Sequence, residues 1–451
     1  MRSIVAAAVA SFAMLGGCAY PYAPRALPLP TQPAPPARAI AMPVAPAMHP
    51  VAGAPAELRP TVTILISIDG FRPDYLDRGA SPHLTRLAAD GVTAAMRPSF
   101  PSKTFPNHWT LVTGMVPDHH GITANRMEDV ARPGEVFTMA SDDPFWWNEA
   151  EPIWVTAERA GLRTAAMFWP GSNVAWGGTK AAAWPHDVIG GTRPDEWQHF
   201  DQAVDGRQRV DAILDWLRRP AATRPQLLTL YFDTVDTAGH RFGPFDARTT
   251  QAVAEVDARI GDLLVGLRAL RQPANLVIVS DHGMAPISPD RVIAMDRIVA
   301  PADARLVEAG PYATIVPAPG REAVVEAALL APHPHMQCWR KGALPARFRY
   351  GANPRVPPIL CLAEDGRDGG WTIGRTGNDE ETRNRGAHGY DNDALDMRAL
   401  FIASGPAFAR GKRLPTFDNV DVAPLLRDLL GLPARSGLDG DDRPFRTVLR
   451  R

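Results

Sequence analysis

Three short apolar runs end in the same chemistry, and that repetition constrains the fold more than any other feature. Thr63-Ile64-Leu65-Ile66-Ser67-Ile68 runs into Asp69-Gly70, Leu227 to Phe232 into Asp233, and Leu276 to Ser280 into Asp281-His282-Gly283. Continuous apolar runs of this length read as strands buried on both faces, the habit of parallel sheets. Arg398 to Ala403 reads as a further core strand. Helical patterns lie between them. Ser81 to Asp90 has Ser81 at the cap, Pro82 in the first turn, and Leu84, Leu87 and Ala88 at helical spacing. Ala247 to Leu270 carries Val253, Val256, Ile260, Leu263, Leu264 and Leu267 on one stripe. Alternation of this kind predicts an α/β fold with a mostly parallel central sheet sandwiched by helices. Ligands of such sheets bind beyond the carboxyl ends of the strands, where these acids and this histidine fall.

The amino-terminal region has a different character. Arg2 precedes an apolar stretch, Ile4 to Leu15, too short to span a bilayer and suited to a secretory signal. The stretch closes on Leu15-Gly16-Gly17-Cys18, which resembles a bacterial lipobox. That resemblance implies a signal over residues 1–17, cleavage before Cys18, and lipidation of Cys18; several acyl chains give stable anchoring. Ala19 after the cysteine implies sorting to the outer membrane, facing the periplasm. Residues 19–60 contain twelve prolines, favour extended conformations, and cannot build a core. The expected organisation is a tether over 18–60 and a folded domain over 61–451. Export to an oxidising envelope leaves two outcomes for Cys338 and Cys361: a disulfide if their strand-like runs pair antiparallel, or two buried free thiols. The 48 basic and 49 acidic residues show no basic run, so a nucleic-acid polymer is not an expected partner.

Asp69, Asp236, His240, Asp281, His282 and His388 are candidate metal ligands. Mixed carboxylate and imidazole donors suit zinc better than magnesium or calcium, which prefer all-oxygen shells. Six donors exceed one tetrahedral ion, so two are expected. Two ions about 3.5–4 Å apart clamp the attacking and leaving oxygens of an in-line displacement. Each residue alone has a structural explanation, such as a helix cap; their joint occurrence at strand ends does not. A hydroxyl nucleophile needs a base or a metal to activate it. Ser99, Ser102 and Thr104 all qualify, and chemistry alone does not separate them.

A resemblance does separate them. Lys103-Thr104-Phe105-Pro106-Asn107-His108, Val112-Thr113-Gly114, His120-Gly121-Ile122 and Asn125 resemble the signature of the nucleotide pyrophosphatase/phosphodiesterase family, within the alkaline phosphatase superfamily. Ile68 to Arg72, Phe168 to Ser172, Asp236 to His240, Ser280 to Met284 and Gly386 to Asn392 match further blocks in order. The resemblance implies an alkaline-phosphatase-like core and two zinc ions. Asp69, Asp281 and His282, with Thr104, would hold one; Asp236, His240 and His388 would hold the other. Thr104 would be the nucleophile, through a phospho-threonine intermediate. Asn125 and the Thr104 backbone N–H would hold a phosphoryl oxygen. His108, His119 and His120 would be structural.

Phe105, where monoesterase relatives carry an arginine near the nucleophile, favours a phosphodiester. Phe105, Trp169, Asn173 and, in place of the family's usual downstream tyrosine, Trp184 are the expected base-pocket residues. The expected activity is hydrolysis of nucleotide phosphodiester or pyrophosphate bonds with release of a nucleoside monophosphate. A choline or phospholipid head-group phosphodiesterase of the same family is the alternative. A non-catalytic envelope lipoprotein is a third reading, against which the complete ligand set argues.

Overall fold

The computed structural model describes residues 59–366, 369–376 and 384–450. The signal over 1–17, Cys18 and nearly all of the 18–60 tether lie outside the described residues, all of which belong to one compact unit. Among them, no helix is long and apolar enough to cross a membrane.

The central sheet has nine strands. Its order is Lys412–Arg413, Val92–Arg97, Ala399–Ser404, Ala274–Val279, Val62–Ile68, Leu227–Phe232, Thr164–Met167 and Glu196–Trp197, with Phe417–Asp418 also on Val92–Arg97. Neighbours are parallel except Ala399–Ser404, which runs antiparallel to both of its partners. The sheet is therefore mostly parallel, as expected, with one antiparallel strand. An apolar run records burial on both faces; it does not record direction.

Burial explains the runs. Every residue of Val62–Ile68 is buried. Ile64, Ile66 and Ile68 point to one side, where they meet Val253, Val256, Ile260 and Leu263 of the helix Ala247–Ala269. Leu65 points to the other side, into the layer holding Trp109, Leu111 and Val112 of the helix Thr104–Thr113. Side chains alternate across a strand, so a strand sandwiched between helices must be apolar at every position.

The helix Pro82–Asp90 forms where expected, but Ser81 does not cap it with its side chain. The Asp257 carboxylate of the long helix takes that role, accepting from the N–H groups of His83 (3.1 Å) and Leu84 (2.8 Å). Beside the main sheet lies an antiparallel one, ordered Ala304–Glu308, Tyr312–Pro317, Ile359–Ala363, Met336–Arg340. Cys338 is in register with Cys361 there, and the two are disulfide-bonded.

Candidate active site

The strand ends deliver the acids to one place. Asp69 follows Val62–Ile68, and Asp281-His282 follow Ala274–Val279 on the neighbouring strand. A Cβ at Gly283 would sit 2.1 Å from the Asp396 carbonyl oxygen, so only glycine lets the chain turn away there. Asp236 and His240 lie on the helix Thr234–Phe242, one turn apart on one face. His388 follows the short strand Gly386–Ala387.

These donors converge. His282 Nε2 is 2.9 Å from Asp281 Oδ2, 3.5 Å from Asp69 Oδ1 and 3.3 Å from Thr104 Oγ1. Asp236 Oδ2 is 3.5 Å from His240 Nε2, and its Oδ1 is 3.8 Å from His388 Nε2. Donor atoms of Asp236, His240 and His388 lie within 4.8 Å of one another, as do those of Asp69, Asp236 and His282. A third such group joins Asp69 and Asp281 to His108, but both His108 ring nitrogens are engaged, with Ser67 Oγ at 2.8 Å and the Thr104 carbonyl at 2.9 Å. His108 thus braces the backbone of Thr104. His120 is buried against Thr110 and Pro106, and His119 pairs with Asp439, which are structural contacts.

The donor set fits metal cations. Asp69 Oδ1, Asp236 Oδ1 and Asp281 Oδ2 are buried and accept no hydrogen bond. Orphaned carboxylate oxygens are costly unless a cation meets them. Each histidine turns Nδ1 to a backbone carbonyl 2.9 Å away: His240 to Gly386, His282 to Gly283, His388 to Ser102. A carbonyl only accepts, so the proton sits on Nδ1 and the Nε2 lone pair faces the cluster, as in histidine metal ligands. Burial, then the charges of Asp281 and Asp236, pushes the Asp69 carboxyl well up. Burial opposes ionisation of Asp281, but when His282 and His108 are protonated their charges outweigh it and hold that carboxyl down. Three acids this close do not all ionise comfortably without added positive charge.

Geometry separates the three hydroxyls. Ser99 Oγ donates to Asn419 Oδ1 and Ser102 Oγ to the Tyr390 carbonyl, each at 2.8 Å. Thr104 Oγ1 faces His282 and the cavity. Thr104 opens its helix, where the backbone N–H groups and the helix field favour an anion. Asn107 holds the preceding loop in place, accepting from Ser99 and donating to the Pro101 and Lys103 carbonyls. Asn125 Oδ1 accepts from the Phe105 N–H at 2.9 Å, which leaves its amide N–H groups as donors.

A cavity of about 330 Å³ opens from this cluster. Phe105, Trp169 and Asn173 line it as expected. Trp184 does not: it is 86 % exposed in the turn joining Thr179–Lys180 to Val188–Ile189, away from the lining. Tyr231, Phe200, Trp147 and Phe168 are lining aromatics that the sequence reading missed. Tyr231 donates from its hydroxyl to Asp69 Oδ2 at 2.7 Å, leaving Oδ1 for the cluster. Burial and then the Asp69 charge push the Tyr231 phenol well up, so it keeps that proton. A signal for it existed: Thr229 and Tyr231 are the two polar-tipped residues of their strand and share one face. Asp233 also lines the cavity, but it is tied to Arg209 at 2.8 Å.

Comparison with known proteins agrees with this geometry. The profile of the type I phosphodiesterase / nucleotide pyrophosphatase family matches residues 63–391. The bis(5'-adenosyl)-triphosphatase enpp4 of Xenopus laevis is 38 % identical over 82 % of this chain and 77 % of its own length. Its human counterpart is 36 % identical over 83 % of this chain and 79 % of its own length. The structure of an inactive threonine-to-alanine variant of murine ectonucleotide pyrophosphatase / phosphodiesterase 5 in complex with AMP superimposes with a TM-score of 0.79. It is 32 % identical, and the match covers 87 % of this chain and all of that one. The chain belongs to the type I phosphodiesterase / nucleotide pyrophosphatase family, a family of hydrolases with the alkaline-phosphatase-like fold.

Proposed function

We propose that this protein hydrolyses nucleotide phosphodiester or pyrophosphate bonds with Thr104 as nucleophile, releasing a nucleoside monophosphate. The observation that carries this is the position of one hydroxyl. Of three candidates, Thr104 Oγ1 alone faces the cluster of acids and histidines and opens onto the cavity. Two zinc ions, one held by Asp69, Asp281 and His282 with Thr104 and one by Asp236, His240 and His388, would supply positive charge to the phosphoryl oxygens and favour the Thr104 alkoxide. Thr104 Oγ1 forms the new bond to phosphorus as the bond to the leaving oxygen breaks and that oxygen takes the electron pair. Water then cleaves the phospho-threonine, and Thr104 is restored. Asn125 and the helix-opening N–H of Thr104 stabilise the phosphoryl oxygen as charge shifts onto it.

The lining supports a diester over a monoester. No lysine or arginine is among the described residues lining the cavity. A dianionic monoester would profit from such a cation, whereas a diester carries one charge and a second substituent that Phe105 and Trp169 can contact. The names of the relatives and the AMP complex of one of them support a nucleotide as that substituent. The Ile4 to Cys18 stretch supports lipid anchoring at Cys18 in a bacterial envelope.

The test is a substrate panel with zinc added or chelated. Metal-dependent turnover of a nitrophenyl nucleotide diester far above nitrophenyl phosphate is expected, with near-complete loss in Thr104→Ala. Faster monoester cleavage, or full activity in Thr104→Ala, would overturn the proposal. Turnover of phosphocholine diesters with none of nucleotide diesters would replace the nucleotide by a head group.

A further inference from the structure

The end of the sheet opposite the catalytic cavity holds a second cleft, of about 510 Å³. It lies between the helices Pro82–Asp90 and Ala247–Ala269 and the chain leaving the strand Ala399–Ser404. Ser404 pairs with Leu276 at the amino end of its neighbour, whereas Asp281 follows that neighbour's carboxyl end. The cleft and the active site are therefore at opposite ends of the same strands.

Its charge is one-sided. Arg86, Arg268, Arg410 and Arg450 line it, with Asp90 as the acid among its lining residues. Arg86 and Arg410 share that carboxylate, at 3.5 and 3.2 Å. Arg268 and Arg450 have no carboxylate partner among the described residues. Exposed Lys412 and Arg413 extend the basic surface, the Lys412 N–H bonding to the carbonyl of Gly91 at the cleft wall. This is a local excess in a chain whose total charge is near balance. A guanidinium fork suits phosphate oxygens.

The chain enters the domain at the same end. Val62 pairs with Ala274 at the start of both strands, next to the Gly405 turn, where a Cβ would lie 2.4 Å from the Ala274 carbonyl oxygen. Residues 59–61 therefore reach Val62 at the arginine-rich end, and the lipobox-like Cys18 stands earlier in the same sequence.

We infer that this cleft binds the phosphate head groups of anionic phospholipids, setting the domain on the membrane with its catalytic cavity facing away. The inference is independent of the proposed catalysis; it draws on the Cys18 reading only for lipid as the source of the phosphate. Each basic residue near an anionic surface is worth about a fivefold gain in partitioning, and that gain is screened by salt.

The test uses the full chain carrying Cys18→Ser, so that no acyl chain contributes. Co-sedimentation is measured with vesicles of phosphatidylcholine mixed with phosphatidylglycerol and with phosphatidylcholine alone. Salt-sensitive binding to the mixed vesicles is expected. It should fall at least about tenfold on combining Arg86→Glu, Arg268→Glu, Arg410→Glu and Arg450→Glu, with nucleotide-diester turnover unchanged. If that variant loses turnover through misfolding, Arg268→Gln with Arg450→Gln decides, since neither side chain has an internal carboxylate to lose. Equal binding to both vesicle types, or undiminished binding by the variants, would overturn the inference. So would arginine-dependent thermal stabilisation by inorganic phosphate without vesicle binding, which would make the cleft a site for free phosphate.

Discussion

At the scale of single residues, the site depends on what each carboxylate oxygen is left free to do. Tyr231 occupies one oxygen of Asp69 and leaves the other without a hydrogen bond. A residue that orients a metal ligand in this way typically changes metal affinity 10–100-fold. Tyr231→Phe removes one hydroxyl from a buried position and keeps the ring packed against His108 and Phe200. The variant is expected to fold normally and to lose zinc to a competing chelator at about tenfold lower chelator concentration. Its turnover should recover when zinc is in excess. Unchanged zinc retention would show that Asp69 needs no such support. The acids and histidines that converge here, and Thr104, are legible in the sequence because each belongs to a short block with its own chemistry. Tyr231 is not legible in this way because it sits inside an apolar run and its partner is 162 residues away. Trp184 stands outside the lining for the converse reason: an aromatic downstream of the nucleophile says nothing of which way its turn projects.

At the scale of elements, strands and helices were legible from burial pattern, but their ends and directions were set by distant partners. Ser81-Pro82 marks the start of a helix correctly, yet the cap comes from Asp257. Ser81 Oγ is buried and makes no hydrogen bond. The two substitutions therefore separate. Asp257→Ala leaves two helix N–H groups unpaired and should cost about 1–3 kcal/mol in urea unfolding. Ser81→Ala removes an unpaired polar atom and should lie within about 0.5 kcal/mol of the parent. A larger loss at Ser81 than at Asp257 would return the cap to the serine. The antiparallel course of Ala399–Ser404 has the same lesson, since its apolar residues satisfy burial in either direction. Cys338 and Cys361 meet because Met336–Arg340 and Ile359–Ala363 pair in a register that the sequence allowed without requiring. The bond closes a loop between residues 23 apart, a constraint worth about 3 kcal/mol on the unfolded chain. Replacing both cysteines by serine should lower stability by about that amount while nucleotide-diester turnover changes less than about twofold, because neither residue lines the cavity.

At the scale of the whole molecule, the site gathers donors from parts of the chain that the sheet brings near one another without locking. Its six donors come from positions 69, 236, 240, 281, 282 and 388, on two strand ends, one helix and one short strand. Nothing covalent joins these segments; the disulfide lies in the other sheet. Cations bound by all of them would therefore act as cross-links between the central sheet, the helix Thr234–Phe242 and the loop carrying His388. Binding to the folded state alone stabilises it by RT ln(1 + [L]/Kd), about 4 kcal/mol when free metal exceeds Kd a thousandfold. Removal also leaves buried carboxylate oxygens facing one another without a counter-charge. Chelation is accordingly expected to lower the melting temperature by several degrees and to do so concentration-dependently, with zinc restoring both stability and turnover. The loss should be largest locally. Amide exchange should quicken in Thr234–Phe242 and around Gly386–Ala387, which carry the donors of one site, before it quickens in the fully buried Val62–Ile68. A chelated protein with unchanged melting temperature and unchanged exchange in those two segments would show that the donors are held by packing alone and that no bound cation cross-links the fold.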